Sequence, residues 1–251
     1  MSAKVVTNGL DALRAEIGLA EIASLIERTA RWVDPATFKL LPIWFPEHAR
    51  RHHFYKEGWS APQMNTRRGS GAAVHKVEGN IYANKAITLA LGLRQANRPM
   101  WSCCHIWGVD DATYQESNLV VQDRRFYSCI GNMVLLPTPL KAFTDHMPEI
   151  KAMIRLCARN LYGWHCDHDS LSSVHGALDS WTDWPAYPAS WPRAVGERIP
   201  LGMVKLSPAI QASAAKRLMQ IRDDLKYAGP FYPREEVLKV LEYWKISVDV
   251  S

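Results

Sequence analysis

His105 is the residue of this chain whose type and neighbours best suit chemistry. It stands in Cys104-His105-Ile106, and 27 positions later Asn132 heads the run Asn132-Met-Val-Leu-Leu136. A neutral imidazole near its ordinary pKa takes a proton from water at pH 7. Breaking a phosphodiester needs such an activated water, positive charge against the phosphate and relief of charge on the leaving oxygen. One divalent cation supplies the last two. His105 is therefore the candidate general base, and Asn132 is the candidate catalytic residue set beside it by the spacing of the two motifs. Cys104, Asp145, His146 and Asp110 are the candidate metal ligands. Each also has a plainer reading. His105 is then a buried histidine bonded to a backbone carbonyl, and Asn132 caps a turn after Gly131. Thr144-Asp145 ahead of Pro148 is then a helix start.

Such residues need elements to hold them. The pattern predicts a strand over 101–107, a polar loop over 108–123 and a partner strand over 125–130. A helix follows from Pro148, with Ile150, Ile154, Cys157 and Leu161 at helical spacing and Gly163 at its C-cap. Upstream, one amphipathic helix is predicted over 10–32, ended by Asp34-Pro35, and another over 82–96. The Pro- and Gly-punctuated stretch 35–78 reads as loop with short strands. Downstream, a Trp- and Pro-rich connector over 179–192 leads to helices over 208–227 and 233–245, expected to pack as a hairpin.

The order strand, loop, strand, helix around His105 and Asn132 resembles the HNH (His-Me finger, ββα-metal) endonuclease superfamily, over about residues 100–165. The wider string adds Gly79-Asn80, Ala86 to Leu93, Asn132 to Pro137, Thr144-Asp145 and Leu161-Tyr162-Gly163-Trp164, and is similar to a diverged, HNH-type bacterial branch. The resemblance implies an α+β protein with a small ββα-metal core (a β-hairpin plus a helix) embedded between N- and C-terminal helices. It divides the chain into an N-terminal helical and basic arm region (1–99), the core (100–165), and a connector with a helical hairpin (166–251). It further implies metal-dependent cleavage of DNA, with His105 as base and Asn132 in the site. Mg²⁺ or Mn²⁺ is the expected cation, with Zn²⁺ or Ni²⁺ as alternatives. A restriction or defence role also comes from the resemblance. Two positions depart from the family pattern. Cys104 stands where an Asp or His is usual, and Leu140 and Lys141 stand where a final His is expected.

Charge points to a polyanionic partner. The net charge is only +5, but residues 48–98 hold nine Lys or Arg against two Glu, a block suited to phosphates. Arg50, Arg51, Arg67, Arg68, Lys76, Lys85, Arg124 and Arg125 are the candidate nucleic-acid contacts, DNA before RNA. A solvated surface is the bland alternative. Two further functions stay open: a non-catalytic nucleic-acid-binding protein on a degenerate HNH scaffold, and an interaction protein holding structural zinc through Cys103, Cys104, His105 and Cys129 or through His165, Cys166 and His168. A homodimer would give a one-site chain the means to cut both strands. Five cysteines, an odd number, argue against a disulfide framework. With no signal-peptide pattern and no long apolar run, a cytoplasmic protein is expected. Ten tryptophans require a substantial core.

Overall fold

The computed structural model describes residues 8–66, 71–108, 118–178, 180 and 183–248. It is a mixed α+β fold whose sheets are all two-stranded. Two helices, α1 (Gly9–Glu16) and α2 (Leu19–Thr29), stand where one was expected. Ile17 is extended, and the Glu21 carboxylate accepts the Gly18 N–H at 2.8 Å, so a fresh cap restarts the helix. The chain then forms β1 (Trp32–Val33) and α3 (Pro35–Leu40). Asp34-Pro35 thus opens a helix rather than merely closing one. Asp34 Oδ1 accepts the Ala36 N–H and Pro35 fits the first turn.

A ribbon follows, made of β2 (Met64–Thr66) and antiparallel β3 (Ala73–His75), with all six residues exposed. Helix α4 (Ile81–Ala90) is shorter than predicted, ending before Gly92 at φ 63°. Next comes β4 (Trp101–His105). Its partner is not 125–130. Arg124–Tyr127 is a helical turn, α5, capped by Asp123, whose side chain accepts the Arg125 N–H. The true partner is β5 (Met133–Pro137), antiparallel, with Trp101 opposite Pro137 and His105 opposite Met133. Residues 133–136 of β5 are all buried. A strand covered on both faces shows an unbroken apolar run instead of alternation, which hides it from a period-two reading.

Helices α6 (Lys141–His146) and α7 (Pro148–Tyr162) complete the ββα order. Helix α7 behaves as its sequence dictates: Pro148 at the first turn, Ile150, Ile154, Cys157 and Leu161 buried, and Gly163 left-handed at φ 61° as the cap. Each buried aliphatic side chain contributes about 1.5–3 kcal/mol. Giving Gly163 a side chain would cost about 1 kcal/mol in the left-handed region. Beyond it lie α8 (Ser172–Leu178), β6 (Met203–Val204), α9 (Pro208–Tyr227) and α10 (Arg234–Tyr243). β6 pairs in parallel with β1. Helices α9 and α10 form the expected hairpin, sharing Ile221, Leu225, Val237 and Leu241 as a small core.

The main core draws on every part of the chain, from Ile22 to Val240. Trp32, Trp44, Trp107 and Trp191 are fully buried in it, and Trp191 meets Trp32 edge-on at 5.7 Å. The Trp- and Pro-rich connector is thereby packed down. Among the described residues no helix is long and apolar enough to cross a membrane.

Candidate active site

His105 closes β4, and Asn132 lies just where the two strands part. The Asn132 side chain is fully buried and uses both ends. Its Oδ1 accepts the Trp107 N–H at 2.7 Å, and its Nδ2 donates to the Phe126 carbonyl at 3.0 Å. Its backbone carbonyl accepts the Ile106 N–H at 2.9 Å. Asn132 therefore ties the exit of β4 to the main chain of α5.

The next carbonyl on α5 belongs to Tyr127, and His105 Nε2 lies 2.9 Å from it. A carbonyl only accepts, so Nε2 carries the hydrogen. Burial, reinforced by the charge of Arg50, pushes the His105 pKa down to about 3, so the ring is neutral at pH 7. A neutral ring protonated at Nε2 keeps its lone pair on Nδ1. The plain reading of His105 describes this arrangement: a buried ring satisfied by a backbone carbonyl, with a pKa well below the ordinary value on which the chemical reading rests. Tyr127 is held in turn, its hydroxyl donating to buried Glu78 at 2.7 Å. Desolvation raises the Glu78 pKa, opposed by that hydrogen bond.

Helix α7 sends two cations to the main chain that leaves β4. Lys151 Nζ donates to the His105 carbonyl at 2.6 Å. Arg155 donates through Nε to the Ile106 carbonyl at 3.1 Å and through its terminal nitrogen to the Gly108 carbonyl at 2.8 Å. Burial lowers the Arg155 pKa to about 10. Sequence reasoning missed Tyr127, Glu78, Lys151 and Arg155. The one local signal was two basic residues, four apart, beside the buried stripe of α7.

The candidate metal ligands do not converge. Cys104 faces Val134 across the hairpin, and burial pushes its thiol up to about 11, so it is no thiolate at neutral pH. Asp145 is ion-paired with Lys141 one helical turn away. Asp145 and His146 sit exposed at the end of α6, lining a cavity of about 470 Å³ with Thr144, Lys151 and Arg155. Asp110 lies outside the described residues. Among the described residues no three His, Cys, Asp or Glu side chains are placed to hold a metal ion. That includes the two cysteine–histidine groups considered for zinc, whose Cys103, Cys104, Cys129 and Cys166 are all buried free thiols. A divalent cation therefore does not fit the described donor set.

The basic residues divide. Arg124 donates to the Glu47 carbonyl and is half-buried, and Arg125 is paired with Asp123 at 2.6 Å. Both serve the packing of α5. Arg50 donates to Asn80 Oδ1 at 2.9 Å, and Lys85 lies over the rings of Phe45 and Tyr82. Arg51 is exposed, with a left-handed backbone at φ 68°, and Lys76 lies over Phe54 at the foot of the β2–β3 ribbon. Arg67 and Arg68, between β2 and β3 in sequence, lie outside the described residues.

Comparison of the chain with family models, with curated proteins and with solved structures finds no match.

Proposed function

We propose that this chain hydrolyses phosphodiester bonds in nucleic acid, DNA first, with His105 as the general base. The observation that carries this reading is the bond from His105 Nε2–H to the Tyr127 carbonyl, which leaves a neutral imidazole with its lone pair on Nδ1. In the proposed step Nδ1 takes a proton from the attacking water as the water oxygen bonds to phosphorus. The P–O bond to the leaving oxygen breaks, and that oxygen takes up a proton from solvent. Asn132 keeps the imidazole aimed by holding the main chain next to Tyr127. The charges of Arg50, Lys151 and Lys141, which all act on the His105 ring, supply a positive field for the phosphate. A phosphate arriving there would raise the His105 pKa by its own negative charge, bringing the base toward its working range. No step is assigned to a metal ion, since the described donors do not assemble for one.

A second reading, nucleic-acid binding without cleavage, is favoured by the β2–β3 ribbon. Its strand residues are all exposed, and His75, Lys76, His53 and Arg51 lie on or beside it. A two-stranded ribbon with no core of its own is marginal alone, and basic ribbons are one way in which proteins read duplex grooves.

Supercoiled plasmid incubated with the protein, in chelator and in Mg²⁺, Mn²⁺, Ni²⁺ or Zn²⁺ in turn, separates the two. Nicked or linear product lost in His105→Ala supports the hydrolase. DNA retarded on a gel but never cut, by wild type as by variant, replaces it with the binder.

A further inference from the structure

A recess of about 300 Å³ opens between α5, α10 and the segment that precedes the β2–β3 ribbon. Arg124 lies in its wall, half-buried. Its Nε donates to the Glu47 carbonyl at 3.3 Å. Its two terminal nitrogens make no hydrogen bond or ion pair among the described residues, and neither is sealed from solvent. They carry four N–H donors in a fixed fork that has no acceptor within the protein. Burial lowers the Arg124 pKa, opposed first by the charge of Glu236.

Two further groups line the recess with this fork. His52 is half-buried, and its ring nitrogens make no hydrogen bond among the described residues. Burial lowers its pKa and the Arg124 charge adds to the effect, so at pH 7 the ring is neutral and has one N–H to give. Lys239, exposed on α10, brings a second positive charge.

The carboxylates of the wall differ in how they are engaged. Asp123 accepts the Arg125 N–H at 2.8 Å and the Arg125 guanidinium at 2.6 Å, so that pair is neutral. Glu236 is exposed on α10, makes no hydrogen bond among the described residues, and acts by its charge on both Arg124 and His52. Arg124 and Lys239 against Glu236 leave the recess net positive, which disfavours a cation and suits an anion.

Donor geometry narrows the anion. A guanidinium fork matches phosphate bidentately. The remaining donors come from two other elements, and a tetrahedral group has oxygens left for them where a planar carboxylate has none. We propose that this recess binds a phosphate group, held by the Arg124 fork with His52 and Lys239, and that Glu236 is its internal competitor. The phosphate belongs either to a nucleic-acid backbone or to a free nucleotide or inorganic phosphate. The surroundings favour the backbone. The Glu78 N–H donates to the His52 carbonyl at 2.8 Å, and the neighbouring His53 ring stacks on His75 of the ribbon at 4.3 Å and 13°, so the recess adjoins the ribbon. The inference rests on the nucleic-acid reading only for that source and does not depend on His105 acting as a base.

Fluorescence anisotropy of a short labelled DNA duplex and calorimetric titration with inorganic phosphate, both on the full chain, test it. Arg124→Lys keeps the charge and loses the fork, and is expected to weaken binding about tenfold. Glu236→Gln removes the competitor and is expected to tighten binding about two- to fivefold. Glu242→Gln, exposed on the same helix but outside the recess, is expected to leave it unchanged. Both glutamates are exposed, so their variants keep the test decisive even if Arg124→Lys fails to fold. Both effects seen on the duplex assign the site to a nucleic-acid backbone. The same effects on inorganic phosphate, with no duplex bound, assign it to free phosphate and remove both nucleic-acid readings of the chain. A duplex held by Arg124→Lys at wild-type affinity, or no more tightly by Glu236→Gln than by Glu242→Gln, overturns the proposal and leaves those readings standing. No binding of either probe at millimolar concentration overturns it together with them.

Discussion

Asn132 and Phe126 are joined by a buried hydrogen bond of 3.0 Å, and the carbonyl next along the chain from Phe126 is the one that orients His105. The asparagine thus acts on the imidazole through the backbone of α5, without touching the ring. Removing it should be felt both in folding and in chemistry. Asn132→Ala leaves the Trp107 N–H without a partner and takes one of two donors from the Phe126 carbonyl, which keeps the Cys129 N–H at 3.3 Å. The expected loss is about 1–3 kcal/mol, the cost of one buried donor left unpaired. Urea unfolding measures it, and a midpoint within experimental error of wild type would refute the clamp.

Acid should weaken the fold through His105. Its folded pKa, about 3, lies below the ordinary value of 6.5. Between those values the unfolded chain binds the proton and the folded chain does not, so stability falls as pH falls from about 6.5 toward 3. The slope is at most about 1.4 kcal/mol per pH unit. Burial lowers the His48 pKa as well, which acts in the same sense, whereas the raised pKa of Glu78 acts in the opposite one. His105→Asn should therefore flatten the stability profile between pH 6 and 4, read by denaturant unfolding at each pH. Parallel profiles would mean that the ring is not buried neutral.

Lys151 and Arg155 both bond backbone carbonyls beyond β4, but burial separates their roles. Arg155 is 8% exposed and serves two carbonyls. Arg155→Met should cost about 2–4 kcal/mol by orphaning both acceptors. Lys151 is half-buried, at the edge of the 470 Å³ cavity. Lys151→Gln should cost less stability and lower plasmid cleavage at least tenfold, through loss of positive charge beside the imidazole. Equal stability losses with unchanged cleavage would place Lys151 in the scaffold alone.

Salt dependence tests the ribbon. If Lys76 lies along a phosphate backbone, Lys76→Gln should make the slope of log K against log salt shallower by about 1 and weaken binding to all sequences alike. Retardation gels across a salt series would show it. An unchanged slope removes the ribbon from the interface.

Local pattern was enough for α7 and for the α9–α10 hairpin, because their apolar spacing, opening prolines and the Gly163 cap lie within a few residues of what they control. It failed for β5, whose two buried faces erase alternation, and for α5, where one capping aspartate outweighs strand-like residues. His105 and Asn132 stood out by type and spacing. Whether the ring would be solvated or buried, and which nitrogen would keep the lone pair, depended on a carbonyl 22 residues away. The ion pair of Glu47 with Arg217 left less trace, since it joins residues 170 positions apart. The sequence by itself determined the residue types, the charge and the helices that carry their own periodicity and caps. Only the tertiary structure decided burial, hydrogen-bond partners and the gathering of distant charges, because each arises from contacts that the chain makes after it has folded back on itself.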